Sequence, residues 1–385
     1  MNREKIVRFM CSALIAGTVA SASPVFAEDA KPAGLKPDDV KIALGISFYV
    51  QGGYTYNGNA TDGVTKSSEN DLRVFDHKAN SFGVDLAQIV AVKDVTTPSA
   101  SGYKIKLSTG ETAKWIHARG LSGAALDQPQ AGEGTNVIDV TEAYASYIAP
   151  VGKGLRFDIG KMVTYFGAEV IEAKDNPNYS RSFLFNYAIP FTHTGLKMSY
   201  AFTDALSASF HVVNGWDNAE DNNTGKCLGV SIGFAPAEIF SGYANFMTGP
   251  EQDSNNGNKR TLVDLVATIK PVKPLSIILN YDNGMEEKLL PTGDAKWSGV
   301  AGIVKYDITD TYSVAVRGES FDDKDGVRTG TVQKLTEETV TVEMRLSGGV
   351  ILRPEYRHDS SDKQSFDNAT KKTQDTIALG VLYAW

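Results

Sequence analysis

The carboxy-terminal end of the chain has a strong pattern of alternating hydrophobic positions. Between Thr376 and Trp385, large apolar residues occupy every second position: Ile377, Leu379, Val381, Tyr383 and Trp385. The residues between them are smaller, except for Leu382. A period of two residues predicts a β-strand whose two faces meet different surroundings. The aromatic pair lies at one end, where a strand that crosses a bilayer would meet the lipid headgroups.

A terminal strand of this kind is typical of bacterial outer-membrane barrels, in which the insertion machinery reads the last strand. The alternative is the last strand of a soluble β-sandwich. That alternative is less favoured, because a soluble strand rarely exposes five large apolar side chains on one face. The pattern predicts a barrel whose outer face contacts outer-membrane lipid and lipopolysaccharide. It also predicts the insertion machinery as a partner, through the strand that ends at Trp385.

The same alternation recurs along the chain and predicts about sixteen antiparallel strands in an all-β transmembrane barrel. The predicted strands are 42–56, 81–92, 103–107, 137–149, 155–166, 192–202, 206–216, 228–234, 240–247, 262–270, 275–282, 297–308, 312–321, 335–346, 350–359 and 376–385. Short turns alternate with long polar loops, as periplasmic turns alternate with extracellular loops in outer-membrane barrels. An even count places both termini on the periplasmic side, and a barrel of about 16–18 strands leaves an aqueous lumen.

The first residues have the features of an export signal. A basic start is followed by a short apolar run over residues 9–19 and by Val25-Phe26-Ala27 before a cleavage site. An N-terminal membrane anchor is less favoured, because this run is too short to cross about 30 Å of hydrocarbon. The sequence therefore predicts a signal peptide over 1–27, a periplasmic leader over 28–41 and a barrel over 42–385.

Composition and charge exclude several other classes of protein. The chain has 385 residues and a formal net charge of −8, and an acidic protein is a poor partner for nucleic acid. Its cysteines are Cys11, inside the predicted signal, and Cys227. One remaining cysteine cannot form an internal disulfide, and no metal-ligand spacing surrounds it. We expect Cys227 to be a small strand residue, and we expect neither a metal nor a cofactor.

Ionisable residues occupy positions between the outward apolar ones on several strands. The set expected to line the lumen is Arg156, Asp158, His211, Arg317, Glu319, Glu343, Arg345, Arg353, Glu355 and Arg357. Unpaired charge that faces hydrocarbon costs kilocalories, so these side chains must face water or each other. They either set a field for passing solutes or form an ion network that only braces the wall. In a soluble sandwich they would form the solvated face.

The loop over 167–191 is too long and too apolar for a plain solvated tip, because its apolar residues need a surface to pack on. A loop folded back into the lumen provides that surface and narrows the pore. Its charged residues are then candidates for the constriction: Glu169, Glu172, Asp175 and Arg181. The alternatives are a loop packed over the barrel mouth or two irregular strands.

Several motifs resemble one known family. They are the run 142–152, Gly160-Lys161, Glu169-Val-Ile-Glu172, the runs 178–186 and 190–195, and Val213-Asn-Gly-Trp-Asp217. This part of the sequence is similar to the family of putative beta-barrel porins, the OmpL-like group. The resemblance covers most of the mature chain, less clearly before residue 79. It implies an outer-membrane barrel that forms a diffusion pore, and the family has no catalytic motif to transfer.

The function expected from these observations is a porin for passive diffusion of small hydrophilic solutes or ions. The net acidity weakly favours cations. The alternative is a barrel sheath that houses a partner, such as an electron-transfer protein. An enzyme is not expected, because no nucleophile or carboxylate pair has a recognisable context beside His77, His117, His193, His211 or His358. A homotrimer is one assembly that the sequence leaves open.

Overall fold

Sixteen antiparallel strands form a closed barrel. The computed structural model describes residues 45–59, 69–121 and 138–385. The strands are β1 Ile46–Asn57, β2 Phe82–Lys93, β3 Ser101–Thr109, β4 Asp139–Ala149, β5 Leu155–Val163, β6 Thr192–Ala201, β7 Leu206–Val213, β8 Cys227–Ala237, β9 Phe240–Pro250, β10 Lys259–Val272, β11 Leu275–Leu290, β12 Gly293–Asp307, β13 Tyr312–Asp323, β14 Gln333–Arg345, β15 Val350–Ser361 and β16 Thr373–Ala384.

Each strand pairs with its neighbours in sequence, and the first strand pairs with the last. The register of β1 and β16 runs from Tyr49 opposite Ala384 to Asn57 opposite Thr376. Backbone hydrogen bonds between Phe48 and Trp385 extend this pairing in both directions, at 2.8 and 2.9 Å. Closure gives hydrogen-bond partners to the backbone N–H and C=O groups of the edge strands, and lipid cannot supply such partners. The predicted all-β barrel and its strand number are confirmed.

The alternating pattern separates an apolar outer face from a polar inner face. In β16, Ile377, Leu379 and Val381 are exposed, whereas Gln374 and Thr376 are buried. Leu382 falls on the inner face and is buried, so the exception in the terminal pattern is an interior residue. Strand β14 alternates in the same way along most of its length. These faces match those of a barrel whose outer surface contacts lipid.

The short turns and the long connections lie at opposite ends of the barrel, except that the two-residue turn between β11 and β12 is on the loop side. The turn side carries both the start of β1 and the end of β16, together with connections such as 202–205, 238–239 and 346–349. The loop side carries the longer connections, including 164–191 and 214–226. This arrangement agrees with the predicted alternation of turns and loops.

Strands β11 and β12 are longer than the sequence pattern predicts. Residues 283–296 were expected to form a loop, but they continue the two strands to a tight hairpin. The polar residues there alternate between buried and exposed, so the strands extend beyond the apolar band. A Cβ at Gly284 would lie 2.1 Å from Cε2 of Trp297. The register therefore requires a glycine opposite this tryptophan.

Other predicted segments fall partly or wholly outside the described residues. The signal, the leader and positions 42–44 lie outside them, as does about half of the loop between the predicted strands 103–107 and 137–149. The first part of that loop forms a short helix, α1, at Glu111–Trp115. Within the described ranges, no helix is long and apolar enough to span a membrane.

A pair of adjacent arginine substitutions tests the two faces. Val230 is on the outer face of β8 and Ser231 is on the inner face. We expect Val230→Arg to lower the free energy of unfolding in lipid vesicles by about 2 kcal/mol, because the guanidinium faces hydrocarbon. Ser231→Arg is the matched control and should cost clearly less, because it faces a polar cavity. Equal losses in urea unfolding would contradict this assignment of faces.

Candidate functional site: the segment 164–191 and the cavities beside it

Segment 164–191 connects β5 to β6 and contacts side chains from many strands. It contains a single 3₁₀ turn at Ala173–Asp175 and a π-helical turn at Leu184–Ala188. All of residues 178–191 are buried. Its aromatic residues pack on one another and on a neighbouring loop, with Phe75 5.3 Å from Phe185 and 5.4 Å from Phe191 between ring centroids.

Carboxylates of the barrel wall accept hydrogen bonds from the backbone of the segment. Glu355 accepts from the N–H groups of Tyr179 and Ser180, at 2.7 and 3.0 Å. Glu319 does the same for Phe183 and Leu184. Both glutamates lie on the inner face of their strands. Irregular backbone leaves N–H groups without strand partners, and these carboxylates satisfy four of them.

Arginines of the same wall bind the carbonyl groups of the segment. Arg317 donates to Ser180 O at 2.8 Å, and Arg353 donates to the carbonyls of Ala173 and Asn178. Arg357 donates to Arg181 O at 2.6 Å. These arginines also form ion pairs with wall carboxylates: Arg317 and Arg357 with Glu337, Arg353 with Glu343 and Arg357 with Asp359.

Tyr179 fits between two wall glycines. A Cβ at Gly380 would lie 2.4 Å from Cδ2 of Tyr179, and a Cβ at Gly53 would lie 2.6 Å from its hydroxyl. The hydroxyl donates to Asp85 Oδ2 on β2 at 2.5 Å. Glycines at these two positions let the segment approach the wall at the β1–β16 junction, where any side chain would collide with the ring.

The wall residues expected to line the lumen therefore divide into two groups. Six of them are buried against the segment instead of facing water: Arg317, Glu319, Glu343, Arg353, Glu355 and Arg357. Their arrangement matches the bracing network that the sequence left as an alternative. Arg345 is partly exposed at the end of β14, where it pairs with Glu343 at 2.6 Å. Arg156, Asp158 and His211 border open cavities.

The four constriction candidates also have different surroundings. Glu169 pairs with Arg317 at 2.8 Å, and Glu172 pairs with Lys106 at 2.7 Å. Asp175 is exposed and pairs with the adjacent Lys174. Arg181 is buried, and its guanidinium donates to the carbonyls of Val170, Ile171 and Tyr179. Arg181 thus closes the segment on itself.

Three cavities lie on the turn side of the barrel. The β5–β10 cavity, which is lined by residues of these strands that include Arg156 and Val266, has a volume of about 530 Å³. The β1–β3 cavity, lined by parts of these strands and of the segment, has a volume of about 810 Å³. The β3–β7 cavity between them has a volume of about 320 Å³. Tyr165 borders all three, and its ring stacks on His211 with centroids 3.9 Å apart.

A fourth cavity lies on the loop side. This loop-side cavity has a volume of about 550 Å³ and is bordered by side chains that include Trp216, Arg260 and Arg328. Phe191 borders both the loop-side cavity and the β1–β3 cavity. Open space therefore exists on both sides of the segment, and the side chain of Phe191 borders both cavities.

A row of short polar side chains explains the space beside β5 to β9. The strand register places Ser199, Ser209, Ser231 and Asn245 side by side around the wall. We call these four residues the serine row, and Arg156 lies next to Ser199 on β5. Short side chains cannot fill the interior, whereas the arginines and glutamates of β13 to β15 reach the segment. The lumen is consequently filled along one wall and open along the other.

Two carboxyl groups outside the strands have pKa values shifted in opposite directions. Burial raises the pKa of Glu172, but Lys106 outweighs burial and keeps the pKa below its usual value. Burial raises the pKa of Glu251 to about 7, against the opposing effect of Arg260. Glu172 is therefore a fixed negative charge at neutral pH, whereas Glu251 titrates near it.

Comparison with known proteins supports the fold and gives the family. The family model described as putative beta-barrel porin-2, OmpL-like, matches residues 43–384. The chain belongs to this family. It is accordingly a porin of the outer membrane, as the resemblance in the sequence implied. No curated protein sequence matches the chain.

Solved porin structures share the fold at low sequence identity. OmpF of Salmonella typhi in complex with daunomycin has a TM-score of 0.60 and 13% identity, over 89% of this chain and 97% of that chain. The anion-selective porin from Comamonas acidovorans has a TM-score of 0.58 and 10% identity, over 88% and 98%. OmpT of Vibrio cholerae in its trimer form has a TM-score of 0.55 and 12% identity, over 88% and 98%.

Sequence reasoning missed several residues that border the cavities of this porin. It did not single out Tyr165, Phe191, Lys197 or Ser199. Alternation shows which face a residue occupies, but it does not show which inner-face residues the segment covers. The signal that could have shown which wall stays open is the size of the inner-face side chains. Strands β6 to β8 carry several small residues there, whereas β13 to β15 carry arginine and glutamate.

Removal of one wall carboxylate should loosen the segment. Glu355→Ala leaves the N–H groups of Tyr179 and Ser180 without a partner, and hydrogen bonds to a charged group contribute about 1.5–3 kcal/mol each. We expect faster trypsin cleavage after the buried Arg181, detected by mass spectrometry of the folded porin. Glu338→Ala is the matched control, since Glu338 is exposed on the outer face of β14. Unchanged cleavage after Arg181 would show that Glu355 does not hold the segment.

Proposed function

We propose that this porin is a passive diffusion channel for small hydrophilic solutes and ions, and that segment 164–191 forms its constriction. The observation that carries the proposal is the presence of cavities on both sides of the segment, with Phe191 bordering one on each side. The neighbouring β5–β10 cavity carries hydroxyl and amide groups and two bases, Arg156 and Lys197, which suits water and hydrophilic solutes.

The route that we propose passes between the segment and the open wall. Solutes enter at the loop side beside Trp216 and Arg260, pass Phe191, and leave through the turn-side cavities. Glu169, Glu172 and Asp175 border the β1–β3 cavity, each in an ion pair with a base. Arg156 and Asp158 on β5 and His211 on β7 contribute polar and charged side chains to the part of the lumen beside these strands. Arg181 and the wall arginines keep the segment in place.

The proposed partners follow from the same architecture. Outer-membrane lipid and lipopolysaccharide surround the apolar face, and the insertion machinery reads the strand that ends at Trp385. A homotrimer is proposed as the assembly, supported by the trimer form of the structural neighbour from Vibrio cholerae. The lumen carries out no catalysis in this proposal, and the signal and leader precede the barrel as the sequence predicts.

Planar-bilayer recordings of the purified mature porin test the channel. We expect stepwise conductance from the porin alone, because both entrances belong to the same chain. Swelling of liposomes in small sugars should accompany it. A barrel sheath would instead stay closed as purified and conduct only after removal of its partner. Complete absence of conductance and swelling would refute the diffusion channel.

Truncation of Phe191 tests the position of the constriction. Phe191→Ala removes the ring that borders cavities on both sides of the segment, so single-channel conductance and the largest permeant sugar should both increase. Phe234→Ala is the matched control, because Phe234 is exposed on the outer face of β8. If both variants conduct like the wild type, the narrowest point lies elsewhere.

A further inference from the structure

One cation on the open wall has no partner. The ammonium group of Lys197 on β6 forms no ion pair or hydrogen bond with any described residue. It borders both the β5–β10 cavity and the β3–β7 cavity. Its neighbours in register are Asp158 and His211, which share its face. A half-buried ammonium group at the edge of two cavities, without a protein partner, is available to a passing anion.

The other charges that border the turn-side cavities are neutralised. Every side-chain carboxylate there is within ion-pair distance of a base: Glu142 with Lys104, Asp158 with Arg156, Glu169 with Arg317, Glu172 with Lys106 and Asp175 with Lys174. Paired charges largely cancel at a distance. Among the described side chains that border these cavities, Lys197 therefore provides the charge that no ion pair compensates.

The β5–β10 cavity itself contains no carboxylate among its described lining residues, which include Arg156 and Lys197. Its lining also includes the hydroxyl and amide groups of the serine row, together with tyrosine, glycine and apolar residues. Two groups of the serine row have unused hydrogen-bonding capacity, since Ser199 Oγ and Asn245 Oδ1 are buried without a partner. Asn245 is 2% exposed, and its amide nitrogen is already bonded to Asp264 at 2.6 Å.

We propose that this porin prefers anions, and that Lys197 is the residue that sets the preference by transiently binding the carboxylate or phosphate group of a small solute. The inference rests on the diffusion channel proposed above and names its solute class. It is opposite in sign to the expectation from the net charge of −8. The loop-side cavity does not share this excess, because four carboxylates and three arginines border it.

The size of the effect follows from one charge in a water-filled lumen. A unit charge about 8 Å from a passing ion contributes roughly 0.5 kcal/mol in water, favourable for an anion and unfavourable for a cation. Salt reduces this value, since the screening length is about 10 Å at 0.1 M and about 3 Å at 1 M. The structure thus predicts a preference of about two- to threefold at low salt, which decreases as the salt concentration rises.

Reversal potentials in a KCl gradient test the proposal on the full mature porin. We expect the wild type to be chloride-selective, Lys197→Gln to lose about two- to threefold in the permeability ratio of chloride to potassium, and Lys197→Glu to become cation-selective. Lys296→Gln is the matched control, because it removes the same charge from an exposed position on β12. Reversal potentials in gradients of potassium acetate and of potassium phosphate then compare the carboxylate group with the phosphate group.

The outcomes separate the two proposals. Conductance with a cation-selective wild type, or with Lys197→Gln equal to the wild type, overturns the anion inference and leaves the channel in place. A selectivity that does not change between about 0.1 and 1 M salt also overturns it, because salt in the cavities screens a charge that borders them. A barrel that does not conduct at all overturns both.

Discussion

Buried polar groups in this barrel must find partners within the protein, and this constraint determines where the lumen is filled. A buried N–H or carbonyl without a partner costs kilocalories, and an unpaired buried charge costs more. Segment 164–191 has little regular structure, so its backbone cannot satisfy itself. Glutamates on β13 and β15 accept its N–H groups, and arginines on the same wall bind its carbonyls. The wall charges supply the hydrogen-bond partners of the segment, and the backbone of the segment supplies partners for the buried wall charges.

This mutual dependence fixes the position of the segment more than it raises the stability of the barrel. A buried ion pair often contributes little to stability compared with apolar packing, yet removal of one partner costs about 3–5 kcal/mol. Arg317 and Arg357 share Glu337, and each also binds the segment. Displacement of the segment would therefore leave several charges unpaired at once. The segment is held in place by the cost of moving it.

The sequence predicted the barrel well, because strand alternation depends on local chemistry. Outward residues must be apolar and inward residues need not be, so the faces of β14 or β16 can be assigned from spacing alone. The tips of β11 and β12 were missed, since beyond the apolar band a polar strand and a polar loop have the same composition. The role of Arg317 could not be predicted, because its partners Glu169 and Ser180 are distant in sequence.

The unequal filling of the lumen connects the fold to the choice of solute. On the wall covered by the segment, long charged side chains are neutralised by one another and by the backbone. On the open wall, short residues such as Ser199 and Ser231 leave space that charges can influence. A single unpaired group there has more effect on a passing ion than the many paired charges elsewhere, because paired charges cancel within a few ångströms. In the anion-selective channel that we propose, the net charge of the chain is therefore a poor guide to selectivity, which depends on the few charges that border the open wall.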